Sequence, residues 1–205
     1  TCGIGTDSID LQACRELDIV VSNIPGRTAP VVAEHAFALM LAISRKVAFF
    51  TQRMKANEWH QVLSTSLAGK TLGVIGTGNI GCEMIRLSRA FGMDVIAWSF
   101  HPDPEKAQRL GFEYVAREEV FSRSDVVSLH VKLTDESQHL VSQPQFELMR
   151  PGTLLINTAR GAVVDTASLV AALQSGHLGG AAVVKVQEER SAVELRYIAK
   201  TDTIA

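Results

Sequence analysis

The segment that most limits the possible folds is a short apolar strand pattern, residues 71–75, which runs directly into the glycine-rich turn Gly-Thr-Gly-Asn-Ile-Gly at residues 76–81. A helical pattern follows over residues 80–91, and Gly92 is placed to end it. Its apolar residues recur at i, i+4, i+7 and i+11 and predict one buried stripe: Ile80, Met84, Leu87 and Phe91. A strand joined to a helix by so tight a turn is typical of parallel α/β units.

The same alternation of apolar runs and helical patterns continues along the whole chain. The predicted strands are residues 19–21, 71–75, 95–98, 126–131, 154–156 and 181–186, several of them apolar at consecutive positions, as burial on both faces requires. A helix over residues 165–174 should bury Leu169, Val170 and Leu173. A longer helix, residues 31–55, is so densely apolar that we expect it to pack between two bodies of protein or two subunits. The pattern predicts an α/β fold with a doubly wound parallel sheet.

Composition narrows the functional classes. With 205 residues, 46% of them hydrophobic, the chain can bury a core for one large domain or two small ones. A net charge of −2 and the lack of a long basic run argue against nucleic acid as a partner. The longest apolar stretch, residues 36–43, is far shorter than the roughly 18 residues that cross a membrane. Cys2, Cys14 and Cys82 form no C-x-x-C pair, which indicates a reducing, cytoplasmic compartment and no metal site.

The glycine turn has the spacing G-x-G-x-x-G between a strand and a helix, which is typical of dinucleotide binding. Gly76 permits the tight turn, Gly78 lets the backbone approach a pyrophosphate, and Gly81 lets helix and strand pack closely. Where an acidic residue usually holds the ribose hydroxyls, this chain has Ser99. No arginine follows to attract a 2′-phosphate, and His101 is the nearest basic residue. NAD and NADP therefore both stay open as cofactors, with NAD slightly favoured.

Stretches at residues 3–10, 23–26, 32–35, 76–81, 124–130 and 149–165 together resemble the D-isomer-specific 2-hydroxyacid dehydrogenase family, which includes phosphoglycerate dehydrogenases and glyoxylate or hydroxypyruvate reductases. The resemblance runs from residue 3 to about residue 182. It implies the end of a substrate-binding domain and a hinge at residues 1–27 and a Rossmann-like NAD(P)-binding domain at residues 28–190, whereas residues 191–205 form a tail that is atypical of the family. Because the chain starts with Thr1 and loses the family's landmarks after Ala182, we expect a truncated piece whose tail is foreign to the family.

The resemblance also implies catalytic residues. It places the family's arginine on Arg160, where a guanidinium can grip a 2-oxo acid bidentately. Counting forward places the acidic partner on Glu189, although its Gln-Glu-Glu-Arg setting fits a solvated surface carboxylate equally well. The Gly-x-Gly turn near the start would present the N–H groups of Ile4 and Gly5 to the substrate carboxylate, unless it is a plain glycine turn. The expected catalytic histidine beyond Glu189 is missing from the sequence, and we assign its role to none of the six histidines.

For the cofactor, the resemblance places Asn79 and Ile80 at the pyrophosphate, Val131 beside the adenosine or ribose, and Thr158, Ala159 and Arg160 toward the nicotinamide. It implies an NAD(P)-dependent oxidoreductase, or a fragment of one, that interconverts a small 2-oxo acid and its D-2-hydroxy acid by hydride transfer. The chain alone should be weakly active or inactive, and a homodimer is expected. The alternative is a catalytically inactive NAD(H)-binding regulatory or dimerisation module, as in corepressors similar to this family.

Overall fold

The computed structural model describes residues 5–6, 9–24, 27–186 and 193–199, with side chains up to residue 183. Helices and strands alternate along most of this chain. The elements are α1 (Leu11–Glu16), α2 (Ala29–Ser44), α3 (Val47–Lys55), β1 (Thr71–Ile75), α4 (Asn79–Ala90), β2 (Asp94–Trp98), α5 (Pro104–Leu110), β3 (Glu113–Tyr114), α6 (Arg117–Arg123), β4 (Val126–Leu129), α7 (Gln143–Leu148), β5 (Leu154–Asn157), α8 (Thr166–Gln174), β6 (Gly180–Val186) and β7 (Val193–Ala199).

One sheet carries all of the named strands, in the order β3-β2-β1-β4-β5-β6-β7. Strands β1 to β6 are parallel, whereas β7 pairs antiparallel with β6 at the edge. The chain winds outward from β1 to β3 and then, from β4, in the other direction. The predicted doubly wound parallel sheet is thus confirmed, and its switch point lies between β1 and β4. The sequence patterns missed the short β3 and the antiparallel β7.

Both faces of the sheet are covered, which explains the consecutive apolar residues in the central strands. On one face, Ile75 and Leu129 join a core that includes Phe121 of α6, Phe146 of α7 and Leu169 of α8. On the other face, alternate strand residues pack with α2 and α4, including Leu72, Val74, Met40, Met84 and Ile156. Burying each such side chain contributes on the order of 1.5–3 kcal/mol before entropy is counted.

The predicted helix over residues 31–55 is two helices, α2 and α3. Lys46 adopts a left-handed conformation (φ 53°), which a right-handed helix cannot continue. The carbonyl of Ser44 accepts a hydrogen bond from the backbone N–H of Thr65 (2.9 Å), so the returning chain occupies the end of α2. The inner face of α2 packs against α4, β5 and β6 through Ala33, Ala36 and Met40. Its outer face carries exposed residues such as Val31, and among the described residues no second body covers it; the expected packing against another body or subunit stays a prediction.

The buried stripe of α4 differs from the predicted one. Its buried residues are Gly81, Met84, Ile85 and Ser88, whereas Phe91 is 44% exposed and its ring meets that of Phe37 edge to face. Closure of the glycine turn explains the difference, because Gly81 must face β1 and thereby sets the rotation of the helix. Gly92 follows the helix with a positive φ (80°), as predicted.

Two smaller predictions also fail. Residues 19–21 form no strand, and Val20 is almost fully exposed, since no strand in the described ranges lies beside it to accept its hydrogen bonds. In α8, Leu169 and Leu173 are buried as predicted, but Val170 lies on the outer side of the helix. Among the helices that the structure describes, none combines the length and the apolar character that crossing a membrane requires.

Candidate functional site

The carboxyl ends of four neighbouring parallel strands define one edge of the sheet. Their terminal residues are aligned by strand pairing: Ile75 of β1 pairs with Trp98 of β2 and with Leu129 of β4, which in turn pairs with Asn157 of β5. The loops that follow these residues therefore start side by side. In open α/β sheets, ligands bind at this edge, beside the switch point of the topology.

The glycine turn after β1 requires glycine at two positions. Gly76 has a positive φ (98°), and a Cβ there would come within 2.8 Å of the carbonyl oxygen of His130. A Cβ on Gly81 would collide with the carbonyl oxygen of Gly76. Both glycines therefore close the turn against protein atoms, as the sequence predicted.

Gly78 has a different environment, because an added Cβ would meet no atom within 4 Å. It precedes α4 as its N-cap and offers no side-chain cap, so the first N–H groups of the helix, beginning at Asn79 and Ile80, lack a capping side chain. Open space in front of uncapped N–H groups suits a pyrophosphate. The cradle that a Cβ at Gly78 would fill thus fits a dinucleotide cofactor.

Side chains that the sequence reasoning missed hold the glycine turn. The hydroxyl of Thr77, a residue 3% exposed, lies 2.7 Å from the phenol oxygen of Tyr114. The thiol of Cys82 donates a hydrogen bond to the carbonyl of Thr77 (3.3 Å). Burial raises the pKa of this thiol, which keeps it protonated and able to donate. Only the location of Thr77 between the two glycines could have indicated a role.

At the end of β2, Ser99 is half-buried, and its hydroxyl accepts a hydrogen bond from the N–H of the exposed His101 (3.3 Å). The neighbouring rings of Trp98 and Phe100 meet edge to face, with centroids 4.7 Å apart. The guanidinium of Arg117 lies 5.8 Å from the centre of the Trp98 ring. Ser99 is thus placed at the same edge as the glycine turn, with a hydroxyl where related sites have a carboxylate.

At the end of β4, His130 and Val131 lie against the glycine turn. The methyl group Cγ1 of Val131 would be 2.9 Å from a Cβ at Gly76, so these two residues are in contact. The Nε2 atom of His130 lies 2.9 Å from the hydroxyl of the buried Ser128. Burial lowers the pKa of His130 to about 4, so its imidazole is neutral at pH 7. A neutral, packed histidine fits the wall of the site.

The loop after β5 is organised by Asn157, whose side chain is buried. Its amide nitrogen donates to the carbonyl of Arg160 (2.8 Å), and its amide oxygen accepts from the N–H of Ala159 (3.1 Å). The guanidinium of Arg160 is half-buried and donates to the carbonyl of Ala159 (2.9 Å). The hydroxyl of Thr158 is buried and has no hydrogen-bond partner among the residues that the structure describes. This orphaned polar atom is what a site for a polar ligand would contain.

The structure thus brings together the glycine turn with Asn79 and Ile80, the start of the loop at Ser99, Val131, and the loop that carries Thr158, Ala159 and Arg160. Gly5 is half-buried in a coil before α1, whereas Ile4 and Glu189 lie outside the described residues. Within the part of the chain that the structure describes, no group of three His, Cys, Asp or Glu side chains could hold a metal ion.

Similarity to known proteins agrees with this arrangement. The family described as D-isomer specific 2-hydroxyacid dehydrogenase, NAD binding domain, matches residues 37–202. This match extends past residue 182, where the resemblance of the sequence motifs ends. A hydroxypyruvate reductase of Thermotoga maritima is 40% identical over 197 residues, which cover 95% of this chain and 63% of that protein. A glyoxylate reductase of Thermococcus litoralis is 38% identical over 195 residues, which cover 91% of this chain and 59% of that protein.

Solved structures give the same result. The apo-structure of D-lactate dehydrogenase from Escherichia coli matches with a TM-score of 0.85 and 36% identity, covering 92% of this chain and 60% of that one. D-lactate dehydrogenase from Aquifex aeolicus, in complex with NAD and lactic acid, matches with a TM-score of 0.82 and 37% identity, covering 91% of this chain and 56% of that one. The chain spans about three fifths of these relatives. It belongs to the D-isomer specific 2-hydroxyacid dehydrogenase family, and its residues 37–202 match the NAD-binding domain of that family.

Proposed function

We propose that this chain is the cofactor-binding part of an oxidoreductase that interconverts a small 2-oxo acid and its D-2-hydroxy acid. One observation carries the proposal: the in-register ends of β1, β4 and β5 bring the glycine turn and the Arg160 loop to the same edge of the sheet. A cofactor held by the first loop and a substrate held by the second would then be neighbours. When bound, NAD(H) supplies or accepts the hydride.

In this proposal Gly76, Gly78 and Gly81 shape the pyrophosphate cradle, and the N–H groups at Asn79 and Ile80 bind the phosphates. Val131 and Ser99 flank the adenosine and its ribose. The unpartnered hydroxyl of Thr158 and the backbone of Ala159 lie toward the nicotinamide, together with Arg160. The open Gly78 cradle and the buried orphan hydroxyl of Thr158 support this assignment.

Arg160 is the proposed catalytic residue. A planar guanidinium can bind the carboxylate and the carbonyl oxygen of a 2-oxo acid together, which orients C2 and stabilises charge that develops on the oxygen. Asn157 supports this role because it fixes the carbonyl of Arg160 and the N–H of Ala159. Ile4 and Gly5 would offer N–H groups to the same carboxylate, and Glu189 would raise the pKa of a catalytic histidine. His130 is not that histidine in the proposal, because a pKa of about 4 leaves it without a proton to give at pH 7.

Cofactor titration and turnover of this 205-residue chain test the proposal. We expect NADH or NADPH to bind, and slow oxidation of NADH with glyoxylate, hydroxypyruvate or pyruvate, far below the roughly 1–10³ per second of typical enzymes. Arg160→Ala should abolish that turnover and retain cofactor binding. The matched control is Arg123→Ala, which removes a guanidinium that pairs with Glu119 away from the site.

The outcomes of this assay test different parts of the proposal. If neither cofactor binds, the proposal is wrong. Turnover that survives in Arg160→Ala removes Arg160 from the mechanism, and turnover in the ordinary range contradicts the expectation of a weakly active chain. Binding without any oxo-acid-dependent oxidation of NADH is expected of an inactive fragment of the oxidoreductase and of a regulatory module alike.

We also infer a homodimer and a cytoplasmic, reducing compartment. The open outer surface of α2 and α3 exposes Val31, Val47 and Met54, three large apolar side chains that a second copy could cover. The same surface has a depression of about 530 Å³ beside Phe50. Cys14 and Cys82 are free thiols, which suits a compartment where disulfides do not persist.

A further inference from the structure

We infer that Tyr114 is a positioning residue for the cofactor: its phenol hydroxyl tethers Thr77 and so holds the glycine turn in the conformation that receives a pyrophosphate. The inference rests on the proposed binding of NAD(H). It concerns a residue some 37 positions away in the sequence, on a strand that carries none of the expected site residues.

The contact joins two hydroxyl groups, and among the described residues each has the other as its side-chain hydrogen-bond partner. Thr77 is the residue between Gly76 and Gly78, and with 3% exposure its side chain is directed into the protein and not into the open space at Gly78. The oxygens of Thr77 and Tyr114 are 2.7 Å apart, a distance typical of a good O–H to O hydrogen bond. The buried hydroxyl of Thr77 therefore has one side-chain partner among the described residues, the phenol of Tyr114.

Tyr114 is itself held in place. It lies on β3, where it pairs with Ala97 of β2, one residue before the strand end that adjoins the glycine turn. Its ring meets the ring of Phe112 edge to face, with centroids 4.9 Å apart. The phenol is thus fixed by strand pairing and by ring packing, so it can serve as a firm anchor for Thr77.

The other bonds of the turn act on the backbone. The N–H of Gly76 donates to the carbonyl of Trp98 (2.7 Å), and the thiol of Cys82 donates to the carbonyl of Thr77 (3.3 Å). These bonds join the turn to β2 and to α4. The bond to Tyr114 adds a third direction, from the edge strand β3, and it is the one that acts through the Thr77 side chain.

A preformed turn matters because the phosphates are bound by N–H groups whose directions depend on the backbone of residues 76–80. Without the tether, the turn must be ordered when the cofactor binds, and that cost reduces affinity. We expect Tyr114→Phe to weaken binding of NADH and ADP-ribose about three- to tenfold. Adenosine lacks the pyrophosphate, so its binding should not change.

The test measures binding, so it does not depend on activity. NADH is followed by fluorescence and ADP-ribose by calorimetry, and adenosine is followed by ligand-observed NMR. Thr77→Val should match Tyr114→Phe, and the double variant should be no weaker than either single one, because both remove the same bond. Thr77→Ser keeps the hydroxyl and should retain wild-type affinity. Ser175→Ala is the control, since its hydroxyl donates to the carbonyl of Ala172 at the end of α8 and takes no part in the glycine turn.

The results separate this inference from the proposed function. If the wild-type chain binds neither NADH nor ADP-ribose, both are wrong. If it binds them and Tyr114→Phe binds ADP-ribose within about twofold of wild type, only the tether is refuted. An equal loss for adenosine would also refute it, since that pattern marks general loosening of the fold. Thermal unfolding shows whether each variant is folded, and the two Thr77 variants decide the question if Tyr114→Phe is not.

Discussion

Two substitutions in the glycine turn, Gly78→Ala and Gly81→Ala, should separate cofactor binding from folding. Both add one methyl group within a span of four residues. At Gly78 the added Cβ meets no protein atom within 4 Å, whereas at Gly81 it collides with the carbonyl oxygen of Gly76. The first change should therefore affect only a ligand that approaches the turn, and the second should affect the protein itself.

The magnitudes follow from these surroundings. Gly78 has a φ of −70°, which alanine adopts without strain, so the free energy of unfolding should change by no more than about 0.5 kcal/mol. Its methyl group occupies the cradle, and we expect affinity for NADH to fall at least about tenfold, or about 1.4 kcal/mol. At Gly81 the two atoms nearest to the added Cβ belong to the backbone of Gly76, which cannot move aside as a flexible side chain can. The collision should therefore lower the free energy of unfolding by about 1–3 kcal/mol or more. For a chain of this length that lowers Tm by about 2–12 °C.

Thermal unfolding without cofactor and fluorescence titration with NADH give the two measurements for each variant. We expect Gly78→Ala to keep the wild-type Tm and to bind NADH more weakly, whereas Gly81→Ala should have a lower Tm than the wild type. Gly92→Ala is a useful comparison, because its φ of 80° strains alanine at a site remote from the cradle. Full NADH affinity in Gly78→Ala would refute the assignment of the cradle. A wild-type Tm in Gly81→Ala would refute the account of how the turn closes.

The remaining predictions concern the ends of β5 and β4. Asn157→Ala leaves the N–H of Ala159 and the carbonyl of Arg160 without their partner, so urea unfolding should show a loss of about 2 kcal/mol. Asn157→Asp keeps the acceptor but sets a buried carboxylate oxygen against the carbonyl oxygen of Arg160, so it should lose at least as much, and a near-wild-type stability of Asn157→Asp would contradict the bridging role. Burial lowers the pKa of His130 to about 4 in the folded protein, against about 6.5 in the unfolded chain. Between pH 4 and pH 6.5 the unfolded chain therefore binds more protons than the folded protein. Stability should thus fall by about 2 kcal/mol from pH 7 to pH 5, and His130→Gln should remove that dependence; unchanged pH slopes in urea unfolding would show that His130 does not cause it.

The sequence predicted the parts of this fold that depend on local pattern. Consecutive apolar residues predicted the buried strands, and the spacing of Gly76, Gly78 and Gly81 predicted both the turn and its position at a helix start. Each of these signals is contained within a few residues, and each has one main physical explanation. The same kind of signal failed at residues 19–21, because a strand also needs a neighbour, and the pattern of one segment does not contain its neighbour.

What the sequence could not predict depends on contacts between distant segments. The stripe of α4 was misjudged because Gly81, not the apolar residues, sets the rotation of the helix. The end of α2 depends on Thr65, and the glycine turn depends on Tyr114, neither of which has a recognisable local motif. Asn157 is a different case, because its two bonds run only two and three residues ahead, to Ala159 and Arg160, and its polar side chain directly after a buried strand was a local signal that the sequence reasoning did not use. A motif thus identifies the groups that can meet a ligand, whereas the residues that hold those groups in place are found through three-dimensional contacts, and these holding residues are where affinity can be changed without altering the motif.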